Sequence, residues 1–138
     1  MDILGLGMSL LDTIQVVEEF PSESGVTEVR DSAFMGGGPV PTALCAASQL
    51  GAKTAIIDRI GDDWRGRLIA SDYERLGVGC EWLLKENGKS SGLGTSLVRR
   101  RDGERQIIFQ QGSSSPLEAG ELPTEALKSC RILHLIGR

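Results

Sequence analysis

The sequence predicts an α/β fold built on a mainly parallel sheet. Two successive units each run from strand to glycine turn to helix, and that alternation is typical of parallel sheets flanked by helices. The composition suits one globular domain, since 40% of the 138 residues are hydrophobic and 25% are charged. Glycine is enriched, with 18 residues, whereas an average chain contains ~7% glycine. These glycines cluster in a few places, so they indicate local turns and not a low-complexity chain.

The first unit begins with the apolar segment 2–7, which predicts a buried strand that runs into a glycine turn. A run of small side chains then predicts a helix over about residues 39–50. Pro39 or Pro41 suits the first turn of that helix, and Gly51 follows its end.

The second unit joins a strand at residues 54–57 to a helix from about Trp64 to Leu76. Asp62 or Asp63 can cap the start of this helix, and Gly77 supplies its C-terminal stop.

Two further segments interrupt the alternation. Residues 26–34 predict a strand at an edge or in a flap. Residues 95–100 and 105–109 flank Asp102-Gly103, which predicts a β-hairpin with a type I′ turn, placed away from the main sheet. A short helix is then expected over residues 122–128.

The last predicted element is a buried strand over residues 131–137. The sequence stops there, at Arg138, directly after a strand. We therefore expect the chain to be a truncated domain.

Charge and composition exclude several classes of protein. A net charge of −4 gives no global attraction to nucleic acid or to an anionic membrane. The three cysteines are Cys45, Cys80 and Cys130 and form no CxxC pair, so we expect reduced thiols in a cytoplasmic protein. The only histidine is His134, which disfavours a zinc site and a histidine-dependent hydrolase, and no metal site is predicted.

The sharpest local feature is the glycine turn Gly36–Gly38 before a helix. Such a turn can let a ligand approach the backbone near free N–H groups, or it can simply connect a strand to a helix. Asp12 follows the first strand, at the sheet edge where α/β proteins collect ligands, and its alternative role is a turn or a cap. The GxGxxG dinucleotide motif fails at Leu10, and no GxxxxGK[ST] phosphate loop is present.

Two charged clusters have open interpretations. Asp62-Asp63 can hold a metal, although capping a helix is favoured. Arg99–Arg101 on the predicted hairpin suits a solvated strand edge, with contact to a phosphate or a partner as the alternative.

In combination these motifs resemble the PfkB family of carbohydrate and nucleoside kinases, which has the ribokinase-like fold. The matching stretches occur in the family's order and belong to its N-terminal half. They are Ile3–Gly7 with Asp12, Gly37–Thr42, Leu50–Ala52, Ile60–Gly66, Leu76–Val78 and Gly103–Arg105.

The resemblance implies ATP-dependent phosphorylation of a hydroxymethyl group on a sugar, with ATP and Mg²⁺ as cofactors. It implies that residues 1–138 are the N-terminal part of one ribokinase-like domain, with a small β-lid at about residues 14–34 and 95–109. It assigns Asp12, Gly37, Gly38 and Thr42 to the acceptor side. The family's base lies in a GxGD motif of the other half, so no catalytic residue is expected in this chain.

Two positions depart from the family pattern. The family often has Asn where this chain has Leu10 and where it has Thr42, so we expect a less polar acceptor pocket. A nucleoside kinase and a non-catalytic polyol-binding or sensor protein therefore remain alternatives. The resemblance does not assign the acceptor. An exposed hairpin edge also suggests a homodimer formed through the lid.

Overall fold

The computed structural model describes residues 1–136, which form two four-stranded sheets. In chain order the strands are β1 (Ile3–Leu6), β2 (Leu10–Val17), β3 (Val29–Gly37), β4 (Thr54–Gly61), β5 (Gly79–Glu86), β6 (Gly92–Arg99), β7 (Arg105–Gln110) and β8 (Ile132–Leu135). The helices are α1 (Pro39–Gln49), α2 (Trp64–Leu76) and α3 (Thr124–Ser129). None of these helices is long and apolar enough to cross a membrane.

The main sheet has the strand order β5-β4-β1-β8, and all of its pairs are parallel. Helices α1 and α2 cover one face and bury a core that includes Val40, Leu44, Ile56, Ile69 and Tyr73. On the opposite face, α3 and the segment before it pack against Leu4, Ala55 and Ile57. The predicted α/β class with a mainly parallel sheet is therefore confirmed.

The two predicted helices form as the sequence indicates. Helix α1 starts at Pro39, and α2 spans Trp64–Leu76. The Asp63 side chain caps α2 by accepting the Gly66 N–H at 2.9 Å. Gly77 ends the helix with a φ of +77°, a left-handed conformation that glycine adopts without strain. Asp62 accepts the N–H of Gly88, so the cap and loop roles of this acidic pair are the ones observed.

The second sheet has the order β3-β2-β6-β7. Its central strands β2 and β6 are parallel, and both outer pairs are antiparallel. This sheet contains the two segments that the resemblance assigned to a lid, residues 14–34 and 95–109. Its strands extend beyond those bounds, because β2 starts at Leu10 and β3 ends at Gly37. The sequence pattern predicts neither β2 nor, in the main sheet, β5.

The predicted hairpin is present, but its turn is not type I′. Strands β6 and β7 pair in antiparallel register, and Gly103 has a φ of +73°. No non-glycine residue among 1–136 has a positive φ, so Asp102 lacks the conformation that type I′ requires. The turn is longer, with the Gly103 N–H donating to the Arg99 carbonyl at 2.8 Å. The Asp102 carboxylate instead binds the Arg99 guanidinium at 2.8 Å.

The basic run on this hairpin is paired with acidic side chains. Arg100 lies 3.1 Å from Glu18, and Arg101 lies 2.9 Å from Glu19. Arg99 also lies over the Phe20 ring, 4.8 Å from its centroid. These contacts join the tip of the β6–β7 hairpin to the segment that follows β2.

Strand β8 is exposed, although the sequence predicts a buried strand. Ile132 is 56% exposed and Leu135 is 54% exposed. The reason is position, because β8 pairs only with β1 among residues 1–136 and so forms an edge of this part of the sheet. Gly137, the expected last residue of the strand, lies outside the described residues.

Three residues, Gly7–Ser9, link the two sheets between the end of β1 and the start of β2. Within this link the Ser9 N–H donates to the Asp58 carboxylate at 2.5 Å, and the Ser9 hydroxyl lies 2.6 Å from the Tyr73 hydroxyl. Burial raises the pKa of Asp58 to about 6, although its hydrogen bonds with Ser9 and Arg59 oppose the shift. The junction between the sheets therefore contains a carboxyl group whose charge is costly to bury.

We predict that Gly5→Ala destabilises the protein by about 1–3 kcal/mol, the usual cost of overpacking a core. A β-carbon at Gly5 would lie 2.5 Å from Leu44 Cδ1 and 2.7 Å from Val40 Cγ1. Both of those side chains are fully buried, so moving them aside would disturb the packing of the core. Chemical denaturation measures the effect. Gly120→Ala is the control, because a β-carbon there meets no atom within 4 Å. Equal stability of the two variants would contradict the prediction.

We predict that Asp58 lowers the free energy of unfolding as the pH rises from about 4 to about 6. Its pKa is raised from 3.8 to about 6 in the folded chain, so the folded state binds more protons than the unfolded state across that range. The stabilising contribution of protonated Asp58 is present at low pH and is lost above its folded pKa. Asp58→Asn removes this titration.

The test is chemical denaturation of the wild type and Asp58→Asn at pH 4.5 and pH 7. Relative to the variant, the wild type should lose on the order of 2 kcal/mol between these conditions. A stability difference that does not vary with pH would show that Asp58 does not titrate in this range.

Candidate functional site

A cavity of about 530 Å³ lies where the second sheet meets the start of helix α1. Its lining includes three of the four predicted site residues, Asp12, Gly38 and Thr42. Gly37, the fourth, packs directly behind the Asp12 carboxylate. The other lining residues are Met8, Leu10, Pro39, Gly94, Ile107 and Phe109. The fold thus brings together all four residues that the resemblance indicated.

The Asp12 carboxylate lies between two glycine backbones. Asp12 is on β2, with Met35 of β3 opposite it on one side and Gly94 of β6 on the other. A β-carbon at Gly37 would lie 2.0 Å from Asp12 Oδ2, and one at Gly94 would lie 2.1 Å from Oδ1. Since no side chain fits in either place, both glycines are required for this position of the carboxylate.

This carboxylate is available to a ligand. No hydrogen bond or ion pair to the Asp12 side chain occurs within residues 1–136, while the side chain lines the cavity. Partial burial raises the pKa of Asp12 above its ordinary value. A half-buried carboxylate without partners is destabilising by itself, and hydrogen-bond donors from a bound molecule would relieve that cost.

The glycine turn is shorter than the sequence suggests. Strand β3 continues through Gly36 and Gly37, and the Gly36 N–H donates to the Asp72 carboxylate at 2.6 Å. Gly38 alone connects β3 to α1, with a φ of +109°. A β-carbon on Gly38 would lie 2.1 Å from the Met8 carbonyl oxygen, so both its conformation and its contact require glycine.

The start of α1 offers few donors to a ligand. Pro39 and Pro41 have no N–H, and the Thr42 N–H already donates to the Gly38 carbonyl at 3.0 Å. Val40 therefore carries the only N–H among the first three residues of the helix. This arrangement suits a single hydroxyl oxygen better than a phosphate group, which needs several convergent N–H groups.

The second sheet supplies lining residues that the sequence motifs did not indicate. Ile107 and Phe109 lie two positions apart on β7 and so share one face of the strand. In the strand register, Gly94 pairs with both Asp12 and Phe109. The glycine cluster at 92–94 and the two-residue period of β7 were the available signals. Neither signal indicates which strands are neighbours.

A second cavity of about 340 Å³ shares Met8, Leu10 and Phe109 with the first. Its lining also includes Asp58, Ser91 and Gly112. Within residues 1–136, no group of three or more His, Cys, Asp or Glu side chains could hold a metal ion. The three cysteines are free, and burial raises the pKa of Cys45 and Cys80, which disfavours the reactive thiolate.

Known proteins are similar to this chain in both sequence and fold. Fructokinase-1 of Zea mays is 30% identical over 137 residues, covering 96% of this chain and 40% of that protein. A nucleoside kinase of Methanothermobacter thermautotrophicus is 27% identical over 135 residues, covering 97% of this chain and 43% of that protein. The structure of Arabidopsis thaliana ribokinase complexed with ribose and ATP superposes with a TM-score of 0.78 at 20% identity, covering 97% of this chain and 44% of that one.

The chain spans about 40% of the length of the curated relatives it matches. The family model described as pfkB family carbohydrate kinase matches residues 2–138. Together with the ribokinase-like architecture, this match shows that the chain belongs to the PfkB family of carbohydrate kinases.

Proposed function

We propose that the protein containing this chain transfers a phosphoryl group from ATP to a hydroxymethyl group of a sugar, and that this chain binds the acceptor. The observation that carries the proposal is the Asp12 carboxylate, which lines a cavity without a protein partner within residues 1–136. Sugar kinases among the relatives make this chemistry the first to test.

The cavity suits one face of a sugar. Asp12 can accept hydrogen bonds from two adjacent hydroxyl groups, and Thr42 offers one further hydroxyl. Ile107 and Phe109 provide apolar surface that can pack on the carbon atoms of the ring. Leu10 and Thr42 stand where the family often has Asn, so acceptor recognition would depend strongly on Asp12.

The phosphoryl donor and the base would be held elsewhere in the complete protein. The chain contains no GxGD motif, and Gly61-Asp62 does not replace it, because Asp62 accepts a loop N–H at 2.9 Å. The resemblance implies that most of the residues that bind ATP and Mg²⁺ lie outside this chain. When bound, ATP and Mg²⁺ supply the phosphoryl group and charge stabilisation.

The second sheet would act as a lid over the acceptor. It contributes Gly94, Ile107 and Phe109 to the cavity lining, so its position controls the access of water to Asp12. Its exposed apolar residues, Phe34 at 60% and Ile108 at 63%, fit an interface in a homodimer formed through the lid. We place the protein in the cytoplasm, where its free cysteines would stay reduced.

Two alternatives have specific support. A nucleoside kinase is favoured by the nucleoside kinase among the relatives. A non-catalytic polyol-binding protein is favoured by the reduced polarity at Leu10 and Thr42. A GxGD motif in the coding sequence beyond residue 138 would favour either kinase over the binding protein.

The direct test is turnover by the complete protein with ATP and Mg²⁺, using D-fructose, D-ribose and adenosine as acceptors. Phosphorylation of a sugar supports the proposal, and preferential phosphorylation of adenosine supports a nucleoside kinase. Acceptor binding without turnover supports the polyol-binding alternative.

We predict that the isolated 138-residue chain has no kinase turnover, because the family's base and anion hole lie in a motif that it lacks. The measurement is ADP release with the same three acceptors, with the complete protein as the control. Measurable phosphorylation by the isolated chain would overturn this prediction.

We predict that Asp12→Asn weakens acceptor binding in the complete protein by roughly ten- to 150-fold. The amide keeps the shape but turns one acceptor oxygen into a donor, and losing a charge-assisted hydrogen bond costs about 1.5–3 kcal/mol. The melting temperature should not fall, because Asp12 has no hydrogen-bond or ion-pair partner within residues 1–136.

Acceptor titration and thermal melting measure these two effects. Gly94→Ala should also weaken binding, because its β-carbon would lie 2.1 Å from Asp12 Oδ1 and would force the carboxylate to move. Gly120→Ala is the neutral control, since a β-carbon there meets no atom within 4 Å. Unchanged acceptor affinity in Asp12→Asn would show that Asp12 does not contact the acceptor.

A further inference from the structure

The acceptor cavity depends on a single short segment, Met8–Leu10. Met8 and Leu10 line the cavity, and Leu10 is the first residue of the strand that carries Asp12. The Met8 carbonyl also abuts Gly38, because a β-carbon there would lie 2.1 Å from the carbonyl oxygen. The placement of Ser9 between these residues therefore affects both the Asp12 strand and the start of helix α1.

Ser9 is fixed by groups from two other elements. Asp58 on β4 accepts the Ser9 N–H at 2.5 Å, and the Tyr73 hydroxyl on α2 lies 2.6 Å from Ser9 Oγ. The Ser9 hydroxyl also lowers the pKa of Asp58, against the larger effect of burial. Because an ionised carboxylate can only accept, the Ser9 N–H is the donor to Asp58, whereas either hydroxyl can donate in the Ser9–Tyr73 pair.

This network is not explained by packing alone. Ser9 is 8% exposed and Tyr73 is 2% exposed, so the polar groups lie within the apolar junction of the two sheets. A buried carboxyl group costs stability even when it is hydrogen-bonded, and an apolar replacement of similar shape is often as stable. What such a network provides is a defined position for the groups that it binds.

We propose that Asp58 and Tyr73 are positioning residues for acceptor binding, acting through Ser9 to set the start of the Asp12 strand. Neither residue lines the acceptor cavity. The inference rests on the proposed function, since it assigns these residues to the same acceptor site.

The site has little tolerance for displacement of that strand. The Asp12 carboxylate occupies a gap between Gly37 and Gly94 that is too narrow for one additional carbon atom on either side. A shift of β2 along its neighbours would move the carboxylate out of this gap and away from the acceptor hydroxyls. Small misplacements of a binding group reduce affinity steeply, since hydrogen bonds require short distances and good alignment.

The experiment compares Tyr73→Phe and Asp58→Asn with the wild type in the complete protein. Asp31→Asn is the matched control, because Asp31 is an exposed acid on β3 whose side chain accepts the neighbouring Ser32 N–H and has no other partner within residues 1–136. The measurements are KM and kcat with D-fructose, D-ribose and adenosine, the melting temperature, and amide hydrogen exchange over residues 10–13.

We expect both variants to raise the acceptor KM at least fivefold while kcat falls less than twofold, the pattern of lost substrate binding. Exchange over residues 10–13 should accelerate without a matching change in the rest of the chain. Asp31→Asn should change neither. A merely structural role would lower the melting temperature and accelerate exchange throughout the chain, and that result overturns the proposal.

Other outcomes also test the positioning role of Asp58 and Tyr73. An unchanged KM in a folded variant overturns the positioning role. If Asp58→Asn does not fold, Tyr73→Phe, which removes one oxygen atom, provides the answer. If the wild type phosphorylates none of the three acceptors, the proposed function fails for those acceptors. Hydrogen exchange then tests the positioning role by itself. In that case unchanged exchange over residues 10–13 rejects the positioning role, and a local acceleration supports it.

Discussion

The chain passes between its two sheets at two points in the N-terminal part of the fold, and these two crossings touch. The first is the link Gly7–Ser9, and the second is Gly38, the one residue between β3 and α1. The Met8 carbonyl packs against Gly38 so closely that a β-carbon would lie 2.1 Å from its oxygen. Gly38 also has a φ of +109°, so no other residue satisfies both conditions without strain. This contact sets the second sheet relative to the helix-covered main sheet.

The candidate site follows from that contact. With the sheets held in this relation, the Asp12 strand faces the start of α1, and the cavity of about 530 Å³ forms between them. Gly37 and Gly94 then make room for a carboxylate that has no protein partner within residues 1–136. The protein maintains a group that is costly to bury, which is the usual property of a binding site and not of a structural core.

A second acidic group, Asp58, is hydrogen-bonded to the link between the sheets, although its burial lowers the free energy of unfolding. Asp58 lies in the junction with a pKa raised to about 6, and its oxygens bind the backbone of Ser9 and of Arg59. Asp72 binds the Gly36 N–H at 2.6 Å on the other side of the site. The link before β2 and the end of β3 are therefore hydrogen-bonded to carboxylates on β4 and α2. Such hydrogen bonds define a geometry more closely than apolar contacts do.

Local sequence signals determined the β–α units of the main layer. Helix α2 was predictable to its ends because Asp63 and Gly77 are cap residues whose chemistry acts within one turn. The small-residue run of α1, the glycine before it and the combination of family motifs were also visible in the sequence. These features indicated Asp12, Gly37, Gly38 and Thr42 as a group, which the structure brings together around one cavity.

Only the tertiary structure decided what surrounds them. The parallel pairing of β2 with β6 joins residues about 80 positions apart, such as Asp12 and Gly94, and no local pattern encodes that register. The antiparallel pairing of β7 with β6 brings Ile107 and Phe109 to the cavity. In the other sheet, β8 pairs only with β1 among residues 1–136 and so lies at an edge. The Asp102-Gly103 turn has a longer form, in which the Asp102 side chain binds Arg99. Sequence periodicity reports which face of an element is apolar, whereas neighbours and desolvation depend on how separate elements pack together.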